Sequence, residues 1–557
     1  MLKNKLFPYA LLALSQGVFA APPPSAGSQM QQIPAVPPAQ PQSLPPKLQV
    51  DQGQAPAILA PTGLKILVKR LNISGAKAYS EAALLLVAGF QPGSELTLAD
   101  LRGMALKIAD YYHRNGYLVA QAYLPAQDVR EGNVAITVLE GQYGKISLQN
   151  QTNLSNGLAN GLLGGLKSGD PVLAAPLETR LLLLSDLPGV NVKSTLVPGA
   201  STGVSDLIVD VAPGQRVSGE VDADNAGNRY TGEYRLGATI NLNNPTGHGD
   251  VASLRAVTSG SGLNYARASY QMQVGRTRIG VAYSSLRYSL GKEFAPLGAH
   301  GTAQVASVFG SYPLIRSRNT NLYAGLAYDA KTFQDKVDLT SSVTDKKAQV
   351  LTASLYGDHR DNLGGGGLNT YGVSWGAGNI DIQTPSVRLF DAATAQSNGR
   401  FNKLGFNASR LQHVTDNVSL YAGINGQIAS KNLDVSEKME LGGMYGIRAY
   451  PEGEAYADQG YVLNLEARFL LPRYAQTMPG RMQLVGFVDT GTVTINKNPW
   501  TFGPNRRTLS GAGLGFIWMD ANNFVLKAYY ARKLGNEVAT SAPDKSGRFW
   551  IQVVKYF

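Results

Sequence analysis

The sequence predicts α+β domains followed by an all-β transmembrane barrel, with room for about sixteen antiparallel strands. Three observations carry this. From Arg216 to the end, segments of about ten residues alternate small or polar with apolar or aromatic side chains. Ahead of them, one order of elements (strand, helix, helix, strand, strand) occurs twice in succession. The N-terminus has the build of an export signal.

That signal spans residues 1–20. Lys3 and Lys5 give a basic start, Leu6 to Leu14 an apolar core, and Val18-Phe19-Ala20 a small-residue cleavage site. No later run approaches the roughly 20 apolar residues of a transmembrane helix. The chain has no cysteine, which excludes disulfides, thiolate metal sites and a cysteine nucleophile. Its net charge of +11 is spread over only 16% charged residues, too diffuse to indicate a nucleic-acid partner. The 62 glycines and 27 tyrosines suit a barrel, glycine at turns and bends and tyrosine at the membrane interfaces.

Residues 21–61 hold 11 of the 29 prolines and read as a Pro-rich linker. The stretch is too rich in proline for a convincing helix. Leu48 to Ala60 is its one candidate, and Pro56 interrupts it.

Residues 62–142 form the first α+β domain. Lys65 to Ile73 alternates as a strand, and Ser80 starts a helix through Val87. Thr97 caps a second helix, with Asp100 three residues on. Leu98, Leu101, Ala105, Ile108 and Tyr112 recur along it at helical spacing. Asn115-Gly116 stops it. Tyr117 to Leu124 and Asn133 to Glu140 are strands. Residues 143–214 repeat the order: strand Lys145–Gln149, helices Leu158–Leu166 and Pro176–Leu187, strands Asn191–Leu196 and Asp206–Val211.

Residues 215–557 are read as barrel, without helices. Asn244-Pro245-Thr246-Gly247, Ser259 to Gly262 and Gly364 to Gly367 supply turns. Hydrocarbon cannot satisfy an open strand edge, so the sheet must close. The last strand, Arg548 to Phe557, puts Phe549, Ile551, Val553 and Phe557 on one face. Lys555 shares that face and is expected to snorkel to the interface.

Two short motifs stand out near the C-terminus, GIRAY at Gly446–Tyr450 and GFVDTG at Gly486–Gly491. A charge inside a membrane barrel is costly unless paired, so Arg448 and Asp489 each need a partner. Further distinctive stretches are Ala122–Ile146, Tyr312–Asp329 and Leu441–Phe469. Together with the order signal, linker, two α+β repeats and barrel, these resemble two-partner secretion transporters of the haemolysin/haemagglutinin activator type. The repeats then correspond to two POTRA domains.

The resemblance implies a loop folded into the lumen with a VRGY-type tip, here Ile447, Arg448, Ala449 and Tyr450. Its arginine meets the aspartate of an F-x-D-x-G motif on the barrel wall, here Phe487, Asp489 and Gly491. Ala449 stands where the family has glycine, which bears on the loop's mobility. Phe557 matches the terminal aromatic read by the barrel-assembly machinery. The resemblance also implies capture by the POTRA domains of a large secreted partner of cytolysin, adhesin or toxin type. Export then proceeds through the pore without nucleotide hydrolysis or any cofactor. The expected location is the bacterial outer membrane, with barrel strands against lipid and POTRA domains in the periplasm.

Catalytic readings are weak. The five histidines are scattered without metal-ligand spacing. GAGLG at Gly511–Gly515 lies in a strand pattern without βαβ context. Serine is plentiful, but no GxSxG elbow is expected among them. The competing readings are a barrel-assembly factor of the same superfamily, an outer-membrane enzyme and a passive porin.

Overall fold

The computed structural model describes residues 23–33, 48–50, 63, 65–129, 131–472, 478–521 and 523–557. The expected signal at 1–20 lies outside the described residues.

Two short elements precede the first domain: helix α1 (Ala26–Gln31) and strand β1 (Leu48–Val50). The first domain contains β2 (Lys65–Val68), β3 (Arg70–Ser74), α2 (Glu81–Ala88), β4 (Ser94–Thr97), α3 (Leu98–Arg114), β5 (Gln121–Tyr123) and β6 (Asn133–Leu139). β3, β6 and β5 form one sheet, and β2 pairs with β4 as a separate ribbon that the sequence reading lacked. Thr97 caps α3 as expected: its hydroxyl accepts the Asp100 N–H at 3.1 Å. Leu101, Ile108 and Tyr112 of α3 bury against Val134, Ile136 and Val138 of β6.

The second unit has β7 (Gln142–Asn150), α4 (Asn156–Leu163), α5 (Ala174–Ser185), β8 (Val190–Pro198) and β9 (Val204–Pro213). The leucines of α5 make most of its core contribution. Its sheet runs β1-β8-β9-β7, so the linker supplies a fourth strand, with Leu48, Gln49 and Val50 parallel to Ser194, Thr195 and Leu196.

Sixteen strands then close a barrel. They are β10 (Val217–Asp224), β11 (Arg235–Asn243), β12 (Val251–Thr258), β13 (Leu263–Val274), β14 (Thr277–Ser289), β15 (Ala299–Arg316), β16 (Thr320–Val337) and β17 (Ser342–Asp361). The rest are β18 (Gly367–Ile382), β19 (Gly399–His413), β20 (Val418–Ala429), β21 (Gln459–Leu470), β22 (Arg481–Thr494), β23 (Arg506–Asp520), β24 (Phe524–Lys533) and β25 (Gly547–Tyr556). Each pairs antiparallel with its neighbours. β25 returns to β10 through Glu220–Asp224 against Gln552–Tyr556. Outward positions carry exposed apolar residues such as Leu236, Val281, Leu326 and Trp375, the alternation expected of a transmembrane barrel. Lys555 reaches Asn523 in the adjacent turn, as snorkelling requires.

Two expectations are corrected. The linker does contain a helix, α1, in the proline-free window between Pro24 and Pro34. Leu48–Ala60, the stretch singled out as a candidate helix, instead starts with strand β1. The barrel region is also not free of helix. α6 (Pro385–Ala393) sits in the loop between β18 and β19, with Pro385 in its first turn, where proline costs no hydrogen bond.

Candidate functional site

The loop from β20 to β21 folds back into the lumen. Its first turn is fixed to the wall by ion pairs: Lys331 and Lys403 reach Glu437 at 2.7 and 2.8 Å, and Lys346 reaches Asp434 at 2.7 Å. Its tip carries Ile447, Arg448, Ala449 and Tyr450, all buried.

Arg448 meets Asp489 of β22 through a fork: Nη2 donates to Oδ1 at 2.7 Å and Nε to Oδ2 at 2.9 Å. The Arg448 backbone N–H adds a third bond, to Oδ2 at 3.0 Å. Asp489 is fully buried, and Arg448 is 4% exposed. A charged pair survives such burial only when its remaining polar atoms are also satisfied. Here they are: Arg448 Nη1 donates to Glu466 at 2.8 Å, and Asn464 donates to Asp489 Oδ1 at 2.8 Å. The guanidinium also lies 3.5 Å from the ring centre of Phe487. Burial opposes the charge on Arg448, yet the carboxylates of Asp489 and Glu466 hold its pKa above the ordinary value.

The other expected residues fall around this pair. Ile447 packs towards Gly491, where a Cβ would stand 3.2 Å from its Cδ1. Tyr450 donates to the Glu537 carbonyl at 3.1 Å. Phe557 is apart from the lumen site. It exchanges two backbone bonds with Gly219, of 2.9 and 3.0 Å, and so takes part in the closure of β25 on β10.

Sequence reasoning missed several participants. Glu466 and Asn464 lie at i and i+2 positions of β21, opposite Phe487 and Asp489. Trp550 Nε1 donates to the Arg448 carbonyl at 2.7 Å. Glu454 gathers Arg507, Thr540 and Ser541. The glycines of GAGLG prove to be the floor beneath the loop: a Cβ on Gly511 would meet Ala449, and one on Gly513 would meet Phe487. The Tyr312–Asp329 motif joins barrel to second unit. Arg316 forms a fork on Asp186 with both bonds at 2.7 Å, and Arg318 pairs with Glu178.

The second occupant of the lumen is α1. Ala26, Met30 and Ile33 pack on the apolar wall. Its polar side meets the opposite side of the pore: Gln29 accepts from Thr231 at 2.7 Å, and Arg235 donates to the Gln32 carbonyl at 2.9 Å.

No group of His, Cys, Asp or Glu suited to a metal occurs among the described residues. Two stretches have GxSxG spacing, Gly199–Gly203 and Gly372–Gly376. Ser374 lies inside strand β18, and Ser201 in the turn between β8 and β9, so neither sits at a strand-to-helix elbow.

The model of the family "Haemolysin secretion/activation protein ShlB/FhaC/HecB" matches residues 203–517, and that of the ShlB-type POTRA domain matches residues 66–141. The chain belongs to the ShlB/FhaC/HecB family. Heme/hemopexin transporter protein HuxB of Haemophilus influenzae (strain 86-028NP) is 31% identical over 474 residues, 84% of this chain and 82% of its own length. Outer membrane transporter CdiB of Escherichia coli O6:K15:H31 is 25% identical over 463 residues, covering 80% and 76% of the two chains. The solved structure of CdiB from Escherichia coli shares the fold, with a TM-score of 0.66 at 20% identity over 91% of this chain and 93% of that one. As a ShlB/FhaC/HecB member, the protein is an outer-membrane two-partner secretion transporter with its POTRA region in the periplasm.

Proposed function

We propose that the transporter rests in a doubly closed state and opens for one large secreted partner. The lid is the loop bearing Arg448, latched on Asp489. The plug is α1. The observation that carries this reading is that both segments fill one closed barrel, each held by its own polar contacts.

The partner is captured on the periplasmic side, by the POTRA domain at 66–141 and by the 142–213 unit acting as a second one. Open sheet edges accept extended chains by β-augmentation. Strand β1 occupies the β8 edge, so an arriving strand competes with the linker that leads to the plug. HuxB carries the name heme/hemopexin transporter, so a hemopexin-binding client is the first to test. Assembly of the barrel itself relies on barrel-assembly machinery reading Phe557.

Deleting residues 62–140 tests capture. Secretion of its cognate partner protein should stop while heat-modifiable barrel still accumulates in the outer membrane. Normal secretion from that strain would refute the capture reading.

A further inference from the structure

A transmembrane barrel that encloses a pore ordinarily has a polar interior. Towards the extracellular end of this lumen, one arc of the wall carries an apolar cluster, set between the lysines that hold the lid loop and Asp335, which accepts the Ala26 N–H at 2.7 Å. Leu286 of β14, Phe333 of β16, Val350 of β17, Ile380 of β18, Phe401 of β19 and Ala429 of β20 are all buried in one cluster. What covers them includes the plug segment, through Ala26, Met30 and Ile33. The wall on β10 to β12 is its opposite in character, with Glu220, Asp222, Asp224, Arg235 and Arg255 all buried and paired.

The plug matches both walls. Its apolar residues at 26, 30 and 33 face the apolar arc, while Gln29 and Gln32 bond to Thr231, Tyr456 and Arg235. Once the plug leaves, the part of the arc it covers faces water unless another chain takes its place. An extended chain with apolar side chains at every second position presents one apolar and one polar edge, the same division as the plug.

We infer that the apolar arc from β14 to β20 is a holding site for the exported chain, which takes the plug's seat as an extended segment with alternate apolar side chains. This rests on the plug reading above. It adds a chemical preference to the pore: the lumen grips alternating sequence and lets uniformly polar sequence slip.

The test uses full-length protein in planar bilayers. A Cβ on Gly27 would stand 2.8 Å from the Ser436 Cβ and 3.2 Å from its Cα, so Gly27→Leu unseats the plug by steric exclusion. Two synthetic peptides of equal length serve as probes, one alternating valine with serine, the other made of serine and asparagine. With Gly27→Leu, conductance should rise, and the alternating peptide should block the current about tenfold longer than the polar one. Adding Phe401→Ser should remove most of that difference, whereas Phe401→Leu should keep it. Phe401→Leu also preserves the comparison if the serine variant assembles poorly. An opened pore that both peptides block equally overturns this inference alone. Wild-type conductance from Gly27→Leu overturns the plug reading and this inference with it.

Discussion

Ala449 rests on Gly511: a Cβ built on Gly511 would stand 2.4 Å from the Ala449 methyl. The methyl of Ala449 is thus accommodated by a wall residue with no side chain. Gly511→Ala should therefore lift the tip and raise channel noise, since real Cβ atoms do not approach so closely. Ala449→Gly should leave the latch in place, and Ala449→Gly combined with Gly511→Ala should restore quiet channels. Single-channel recording separates these outcomes, and a quiet Gly511→Ala channel would contradict the packing argument.

The latch itself should behave as a network centred on one pair. Arg448→Ala leaves Asp489 buried with only Asn464 as a side-chain donor, a change that costs on the order of 3–5 kcal/mol when a buried pair loses one partner. Secretion should fall more than barrel abundance. Asp489→Ala should resemble it, and the double variant should be little worse than either single one. Arg448→Lys should rescue in part, because a lysine cannot satisfy Asp489 and Glu466 with the same fork. Fully additive defects in secretion would show that the two residues do not act together.

The linker strand gives a third prediction. Gln49→Pro removes the backbone N–H of the residue paired with Thr195 and should detach β1. Amide exchange at Ser194 to Leu196 should then speed up. Unchanged protection of β8 would mean that β1 contributes nothing to covering that edge.

Much of this was legible in the sequence, for physical reasons that differ by element. The barrel strands announce themselves because lipid and lumen impose a strict period of two. The cap of α3 is a local pattern, Thr97 with Asp100. The pairing of Arg448 with Asp489 came from the resemblance to the secretion family, and the cost of an unpaired buried charge only supported it. Glu466 and Asn464 were not singled out, since their place in the site follows from strand register rather than from any local motif. Helix α1 was hidden by composition: eleven prolines between residues 21 and 61 mask a proline-free window from Ser25 to Ile33. Its seat depends on contacts with residues 202 and 424 positions away, Thr231 and Tyr456. Strand β1 owes its conformation to the β8 edge, a tertiary influence that three residues cannot reveal.

Phe557 should matter for assembly through more than its terminal position. Its backbone exchanges two bonds with Gly219, and its ring lies against that glycine, where a Cβ would come within 2.7 Å of Cζ. Phe557→Ser keeps the backbone bonds and removes the ring. Membrane-embedded, heat-modifiable protein should decrease, and Phe557→Tyr should restore it. Equal amounts of folded barrel from wild type and Phe557→Ser would remove the aromatic from the assembly reading.

The plug seat should weaken as pH rises. Glu440 and Glu452 of the lid loop lie beside Gln32 and Tyr456, with Arg235, Asp224 and Tyr445 as the other charged or titratable groups at this contact. Burial raises the pKa of both carboxyls. Each is also near the other, and the Glu452 pKa stands well above the ordinary 4.5, held up further by the charge of Glu440. A carboxyl whose folded pKa is raised contributes stability that is complete below its ordinary value and lost as pH climbs through the raised one. Protonated, the pair can share a hydrogen bond under the plug. Ionised, two buried negative charges repel, with Arg235 already committed to Asp224 at 2.9 Å. Mean conductance of the wild-type channel should therefore increase as pH climbs above the ordinary carboxylate range. Glu452→Gln, which stays neutral, should flatten that rise and hold the channel nearer its low-pH conductance throughout. A wild-type profile that is already flat, or one that Glu452→Gln leaves unchanged in slope, would show that these carboxyls do not govern the plug.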